Sequence, residues 1–156
     1  MKRTILALLA LAFCGCQREP ADGPPKIAYG RDECVHCGMI VSEERHAAAL
    51  RAVIDGQVRD IAFDDIGDML AWEREQTPAV EVKRRFVHDF ETRQWLDAAS
   101  AYYVISETIH TPMGSGIIAF ATEPAARAKL DAVKGNLLTF DQLRDWTTQS
   151  ASAAGK

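Results

Sequence analysis

The chain has 156 residues, with 18 Lys or Arg against 22 Asp or Glu, so its net charge at neutral pH is −4. An acidic chain without basic runs is not expected to bind nucleic acid, because such binding depends on Lys and Arg neutralising phosphates. The length suits one ordinary hydrophobic core or two small fused units.

The amino-terminal residues are typical of an exported lipoprotein. Two basic residues precede an unbroken apolar run over residues 5–13. This run is shorter than the roughly 20 residues of a membrane span and fits the apolar region of a secretory signal. The sequence that follows, Phe-Cys-Gly-Cys-Gln, resembles a lipobox, with a small residue directly before Cys16. We therefore predict a signal peptide over residues 1–15 and lipidation of Cys16, with ordinary secretion as the alternative.

The segment after the proposed anchor predicts where the protein is held. Residues 16–28 are rich in Pro, Gly and charge and are expected to form a flexible tether. Gln17 stands where Asp would be expected in a lipoprotein retained at the inner membrane, so we predict a lipid anchor in the outer membrane that faces the periplasm. The inner membrane is the alternative. Residues 151–156 are small and polar and are predicted to fray.

The folded domain is predicted over residues 29–150, and its first half, approximately residues 29–91, has the order strand–strand–helix–strand. The predicted elements are strands over residues 47–54 and 57–63, a helix from Asp64 to about residue 74, and a strand over residues 80–90. The dipeptide Asp55-Gly56 between the first two strands favours a two-residue hairpin turn. Asp64 is expected to cap the helix.

The second half, approximately residues 92–150, repeats this order. Its predicted elements are strands over residues 101–107 and 116–122, a helix over residues 123–133, a strand over residues 137–139, and a helix over residues 140–148. An Ala-Phe pair precedes the first helix of each half, at residues 62–63 and 119–120. The sequence therefore predicts an α+β fold of two small fused ββαβ-type units, with chance similarity of the halves as the alternative.

The segment from Cys34 to Met39, Cys-Val-His-Cys-Gly-Met, combines two thiols, an imidazole and a thioether in six residues. Thiolates and thioethers are soft ligands that suit copper(I), and a thioether binds without losing a proton. A structural zinc site usually has four protein ligands, and no second cysteine pair follows, which disfavours zinc. Two other uses of Cys34 and Cys37 remain open: thiol–disulfide exchange and a structural disulfide.

A second candidate region lies between two predicted strands of the second half. Met113 belongs to the turn-rich sequence His-Thr-Pro-Met-Gly-Ser-Gly, which places it poorly for core packing and well for contact with a ligand. His110, three residues upstream, is a candidate further donor. Met69, by contrast, falls on the apolar face of the first predicted helix and is expected to pack in the core.

These motifs resemble those of NosL-type lipoproteins, the copper chaperones of nitrous oxide reductase maturation. The similarity extends from about Tyr29 to Trp146 and includes Cys-Gly-Met at residues 37–39, Phe-Asp-Asp-Ile-Gly-Asp-Met-Leu at residues 63–70 and Thr-Pro-Met-Gly-Ser-Gly at residues 111–116. The resemblance implies two ββαβ-type units related to the organomercurial lyase fold. It also implies binding of one copper(I) ion by Cys37, Met39 and Met113.

The resemblance further implies a partner and a role. The expected partners are nitrous oxide reductase and its ABC-type membrane assembly complex, and the expected role is copper delivery without catalysis. Cys34 and His36 precede the Cys-Gly-Met triplet and are, with His110, additional candidate ligands. The competing hypotheses are a periplasmic thiol–disulfide oxidoreductase that uses Cys34 and Cys37, and a lyase-like enzyme suggested by the related fold, although fold similarity alone does not establish function.

Overall fold

The computed structural model describes residues 23–154. The predictions for the signal peptide, for Cys16 and for the start of the tether lie outside these residues. The described part contains two antiparallel sheets and three α-helices, which confirms the predicted α+β class. No helix in this part is both long enough and apolar enough to cross a membrane.

The first unit is a four-stranded sheet with one helix. Its elements are β1 (Ala48–Ile54), β2 (Gln57–Phe63), α1 (Ile66–Glu75), β3 (Glu81–His88) and β4 (Trp95–Asp97), followed by a 3-10 turn at Ala98–Ser100. The strands lie in the order β2-β1-β3-β4. Asp55 and Gly56 join β1 to β2 with φ angles of 51° and 73°. These positive angles at both central positions are what a tight hairpin turn of this kind requires.

The second unit repeats the pairing of the first. Its elements are β5 (Tyr102–Ile105), β6 (Ile117–Phe120), α2 (Glu123–Ala132), β7 (Asn136–Thr139) and α3 (Phe140–Ala154). The strands lie in the order β6-β5-β7. In each unit the first strand is central and pairs antiparallel with both the next strand and the strand after the helix. Both units therefore contain the ββαβ arrangement.

Three local features differ from the sequence predictions. The amino-terminal cap of α1 is Asp65, not Asp64, because extended Asp65 accepts a hydrogen bond from the Gly67 N–H at 2.6 Å. The Asp64 carboxylate instead accepts the Ser42 N–H at 3.2 Å. Strand β4 was not predicted, and α3 continues to Ala154, four residues into the tail that was expected to fray.

The two units share one main hydrophobic core. Buried side chains of this core come from both sheets and from α1 and α3, and they include Phe63, Val87, Tyr103, Ile117 and Leu143. Met69 is fully buried in it, as predicted. A smaller core lies between the second sheet and α2. The shared core fixes the position of the loops of one unit against those of the other.

Candidate metal centre

The two cysteines lie in a tight loop over residues 34–39, before β1. The Cys34 N–H donates to the Met39 carbonyl at 2.8 Å, and the Gly38 N–H donates to the Cys34 carbonyl at 2.9 Å. Gly38 has a φ of 73°, which a residue with a side chain rarely adopts. The Val35 N–H donates to the Ala62 carbonyl at 3.1 Å and ties the loop to β2. The cysteines therefore do not stand at a helix amino terminus.

Both thiols converge on a carboxylate of α1. Ligand atoms of Cys34, Cys37 and Asp68 all lie within 4.8 Å of one another. The Cys34 thiol donates to Asp68 Oδ2 at 3.3 Å. Cys34 is 1% exposed, whereas Cys37 is half-buried, and both are free thiols. The structure thus leaves one cysteine partly exposed and buries the other.

The Cys37 thiol is held in its protonated form. Burial, hydrogen bonding with Cys34 and Asp68 and the proximity of Cys34 raise the pKa of Cys37 to about 12, although a hydrogen bond from the Met39 N–H opposes the shift. Only the thiolate is a strong nucleophile or a metal ligand. At neutral pH the thiol is therefore a weak nucleophile, and a bound metal ion must displace its proton.

His36 is held between two carboxylates. Its Nδ1 lies 3.1 Å from Asp68 Oδ1, although the two atoms are not aligned for a hydrogen bond. Its Nε2 is 3.3 Å from Glu75 Oε2, on the last turn of α1. The Glu75 contact holds the ring beside α1, so Nε2 would have to leave that carboxylate before it became a metal ligand.

The Met113 loop is held by Asp65, the capping residue of α1. Asp65 Oδ2 accepts the Thr111 hydroxyl at 2.5 Å and the Met113 N–H at 3.3 Å, and Oδ1 accepts the Ser115 hydroxyl at 2.5 Å. Asp65 is fully buried. A Cβ at Gly67 would lie 2.5 Å from the Ser115 Cβ, so only glycine allows the loop to approach the helix this closely.

The first turn of α1 therefore brings two distant segments together. Asp65 and Asp68 are three residues apart, a spacing that places both on one face of the helix. Asp65 binds the loop of Met113, and Asp68 binds the loop of Cys34. Met39 and Met113 are 52% and 41% exposed, so both are accessible to a ligand or a partner. Two thiols and two accessible thioethers thus come from loops that are held by one helical turn.

His110 lies apart from these contacts. Its side chain is exposed and lines a cleft that also contains Tyr29 and His46. Within residues 23–154, no hydrogen bond or ion pair joins His110 to Cys34, Cys37 or Asp68. The structure thus brings the candidate ligands Cys34 and Cys37 together, with His36 beside them. His110 lies apart from them, in a separate cleft.

The sequence predictions missed Asp65 and Asp68 as residues of this site. A signal was present, because three acidic residues, Asp64, Asp65 and Asp68, lie at the start of an otherwise apolar helix face. All three are buried, and acidic residues are rarely buried without partners. Their loop partners lie 22 to 50 positions away in the sequence, Ser42 for Asp64, Cys34 for Asp68 and the Met113 loop for Asp65, so only helix capping can be inferred from this segment itself.

Comparison with known proteins identifies similar chains. The NosL family model matches residues 26–147. The copper-binding lipoprotein NosL of Stutzerimonas stutzeri is 29% identical over 163 residues, an alignment that covers 96% of this chain and 84% of that protein. The crystal structure of the copper chaperone NosL from Shewanella denitrificans is similar with a TM-score of 0.61 and 25% identity, and it covers 76% of this chain and 96% of that one.

Proposed function

The chain belongs to the NosL family, and we propose that it is a lipid-anchored copper(I) chaperone that delivers copper to nitrous oxide reductase. The observation that carries the proposal is the first turn of α1, where Asp68 holds the cysteine loop and Asp65 holds the Met113 loop. The names of the relatives from Stutzerimonas stutzeri and Shewanella denitrificans, which describe copper binding and a copper chaperone, support it.

We assign the copper ligands by donor chemistry and position. Cys37 supplies the anionic sulfur, and Met39 and Met113 supply two thioethers, a set of soft donors suited to copper(I). Cys34 is close enough to Cys37 to act as a fourth sulfur donor. His36 and His110 are weaker candidates, because His36 contacts two carboxylates and His110 lines a separate cleft.

Copper binding at this site releases a proton. The pKa of Cys37 is raised to about 12, mainly by burial, so the free site carries a neutral thiol at neutral pH. Copper(I) must displace that proton to gain a thiolate, whereas the two thioethers bind without deprotonation. The thioethers therefore add affinity that does not depend on pH, and the Cys37 thiolate adds affinity that falls as the pH falls.

The exposure of the donors suggests the route of transfer. Met39 and Met113 are about half exposed, while Cys34 is 1% exposed. An acceptor can therefore approach the copper ion from the methionine side and replace one thioether at a time. Met113 lies on a loop remote in sequence from Cys37, so we expect it to leave the copper ion first.

The proposal also includes the location and the partners. The lipid anchor at Cys16 would hold the domain on the periplasmic face of a membrane, with Gln17 favouring the outer membrane over the inner one. An anchor with several acyl chains is stable, whereas a single chain binds reversibly. The proposed partners are nitrous oxide reductase and the ABC-type complex that assembles it.

The alternative function, thiol–disulfide exchange by Cys34 and Cys37, is disfavoured by two observations. The pair lies in a loop and not at a helix amino terminus, and the pKa of Cys37 is raised to about 12 by burial and by hydrogen bonds with Cys34 and Asp68. Thiols that perform disulfide exchange have lowered pKa values, because the thiolate is the attacking species.

Delivery is tested in a denitrifying host that lacks the gene. Under limiting copper, we expect the reductase to be exported but deficient in copper at its catalytic cluster. A strain carrying Met113→Leu should fall between the wild type and the deletion, because Leu preserves the volume and removes the sulfur. Val58→Leu, an exposed position on β2, is the control and should leave the copper content unchanged. Full copper loading of the reductase in the deletion strain would refute delivery by this protein.

A further inference from the structure

A cleft between the two units contains none of the cysteines and methionines of the proposed copper site. Its volume is about 660 Å³, within the range of about 300–1,000 Å³ that is usual for small-molecule sites. One wall comes from residues 42–46, before β1, and from Phe90 and Arg93, after β3. The other comes from residues 108–110 and from Lys129 of α2. None of Cys34, Cys37, Met39 and Met113 lines it.

Cations outnumber carboxylates in the walls of this cleft. Its three basic residues are Arg45, Arg93 and Lys129, and its two acidic residues are Glu43 and Glu44. Arg93 lies 4.0 Å from a Glu44 oxygen, and Glu43 lies 3.6 Å from His46 Nε2. Each carboxylate thus faces another residue of the cleft, and neither faces Arg45 or Lys129. Neither Arg45 nor Lys129 forms an ion pair with a carboxylate of residues 23–154.

The two cations without a carboxylate partner meet at one aromatic ring. The Arg45 guanidinium lies 5.2 Å from the centroid of Phe90, and the Lys129 ammonium lies 5.0 Å from it. Both contacts are within cation–π distance, which holds the long side chains at the cleft. Two like charges collected at one ring in an acidic protein repel each other, and a bound anion would relieve that repulsion.

His46, one of the residues that line the cleft, has an unsatisfied ring nitrogen. His46 is 5% exposed, and its ring packs against Phe90 with centroids 5.7 Å apart. Its Nδ1 is buried and has no hydrogen-bond partner among the described residues. Buried ring nitrogens usually have a partner, so we expect an ordered water or a small shift of the ring to satisfy this atom.

We propose that this cleft binds a phosphate ester, with Arg45 and Lys129 contacting the phosphate and Phe90 contacting the organic part. A guanidinium matches two phosphate oxygens at once, and an ammonium adds a point charge. Ile109 and Val133 add apolar lining, and the volume exceeds what inorganic phosphate alone would need. The proposal is independent of the copper site and of the chaperone function.

The phosphate ester has two possible sources, a lipid headgroup and a soluble metabolite. Tyr29 lines the cleft and lies thirteen residues after Cys16, the predicted lipidated residue. A fully extended chain of that length spans about 45 Å. If Cys16 is acylated, the cleft remains within reach of headgroups on the same membrane, where weak affinity suffices because the local concentration is high.

The test measures binding to both sources with the chain from Gln17 onward, which contains every element of the described fold. Glycerol 3-phosphate is titrated by calorimetry at fixed ionic strength. Co-sedimentation is measured with vesicles of phosphatidylglycerol in phosphatidylcholine and with pure phosphatidylcholine vesicles. The variant is Arg45→Gln/Lys129→Gln. The control is Arg127→Gln/Lys83→Gln, which removes the same two residue types from exposed or half-exposed positions that pair with Glu123 and Glu81.

We expect the cleft variant to lose at least tenfold in affinity and the control to lose less than twofold, with thermal midpoints and copper binding unchanged in both. Binding of glycerol 3-phosphate without preference for anionic vesicles would identify a soluble ester as the source. Binding to anionic vesicles alone would identify the headgroup. No saturable binding to either probe, or equal losses in the two double variants, would overturn the proposal. Lys129→Arg keeps the charge and should retain binding, which provides a second check.

Discussion

Substitution of Asp65 by Asn tests whether the first turn of α1 assembles the copper site. The Asn oxygen can replace Oδ1, which accepts the Gly67 N–H and the Ser115 hydroxyl, so the helix cap is kept. The Asn amide group replaces Oδ2, which accepts the Met113 N–H and the Thr111 hydroxyl. An amide donor cannot accept the Met113 N–H, so the substitution removes the hydrogen bond at Met113 itself. The Ser115 end of the loop stays bound to the Asn oxygen.

The expected magnitude follows from the contacts that are lost. A hydrogen bond to a charged group contributes roughly 1.5–3 kcal/mol, so the docked loop should be destabilised by about that amount. If that energy is lost entirely from copper binding, the affinity falls by about ten- to a hundredfold, since 1.4 kcal/mol corresponds to a factor of ten. The effect arises without removal of any proposed ligand.

The assay is competition for copper(I) against a chromophoric chelator, with the reduced chain and the variants. Asp89→Asn is the matched control. Asp89 is also buried and also accepts four hydrogen bonds, from Glu91, Thr92 and Ala121, but it lies at the junction of the two units. We expect it to lower the free energy of unfolding and to leave copper affinity unchanged. Equal copper affinity of Asp65→Asn and the wild type would refute the role of the α1 turn.

Three further predictions concern the sulfur donors, the junction and the anchor. Cys37→Ser should weaken copper binding more than Cys34→Ser in the same competition assay, because Cys37 is the accessible thiol; equal losses would show that both thiols are needed. Burial raises the pKa of Asp89, but hydrogen bonds from Thr92, Ala121 and Glu91 lower it by more. The pKa of this carboxyl is therefore below its usual value. The Asp89 carboxylate therefore stabilises the fold above about pH 4, and this stabilisation is lost as the pH falls through the lowered pKa. Denaturant unfolding should show a difference in the free energy of unfolding between wild type and Asp89→Asn at pH 7 that disappears in acid. A difference that stays constant with pH would contradict this reasoning. Mass spectrometry of the membrane-extracted protein should find an acylated peptide that begins at Cys16, and an unmodified amino terminus elsewhere would indicate ordinary secretion.

Local sequence signals were enough to predict most elements of the fold. Strand β2 has the bounds predicted for it, because the Asp55-Gly56 turn fixes where the hairpin reverses. Helix α2 begins at Glu123, as expected from a proline in its first turn, where the missing N–H is not needed. Strand β4 could not be predicted, because three residues carry too little periodicity; it forms through its pairing with β3.

The candidate site was only partly predictable, because its assembly depends on contacts between distant residues. The donors themselves are recognisable from their chemistry, as in the Cys-Gly-Met triplet at residues 37–39. The carboxylates that hold them are not, because the contact between Cys34 and Asp68 joins residues 34 positions apart, and that between Asp65 and Met113 joins residues 48 positions apart. Periodicity reports which helix face is buried, and it does not report which loop packs on that face.

The same limit explains the misplaced helix cap. Asp64 and Asp65 are equally good capping residues by type, so residue preference cannot choose between them. The structure uses Asp65 for the cap and for the Met113 loop, while Asp64 accepts the Ser42 N–H from the segment before β1. The choice therefore depends on the partners that each carboxylate finds in the folded chain.

Copper(I) titration of the reduced chain from Gln17 onward, followed by X-ray absorption at the copper edge, tests the proposed function most directly. The proposal predicts one copper(I) ion per chain with a first coordination shell dominated by sulfur, and a marked loss of affinity in the Met39→Leu/Met113→Leu variant with the fold preserved. Unchanged copper affinity in that double variant, or a shell of nitrogen and oxygen ligands without sulfur, would contradict it.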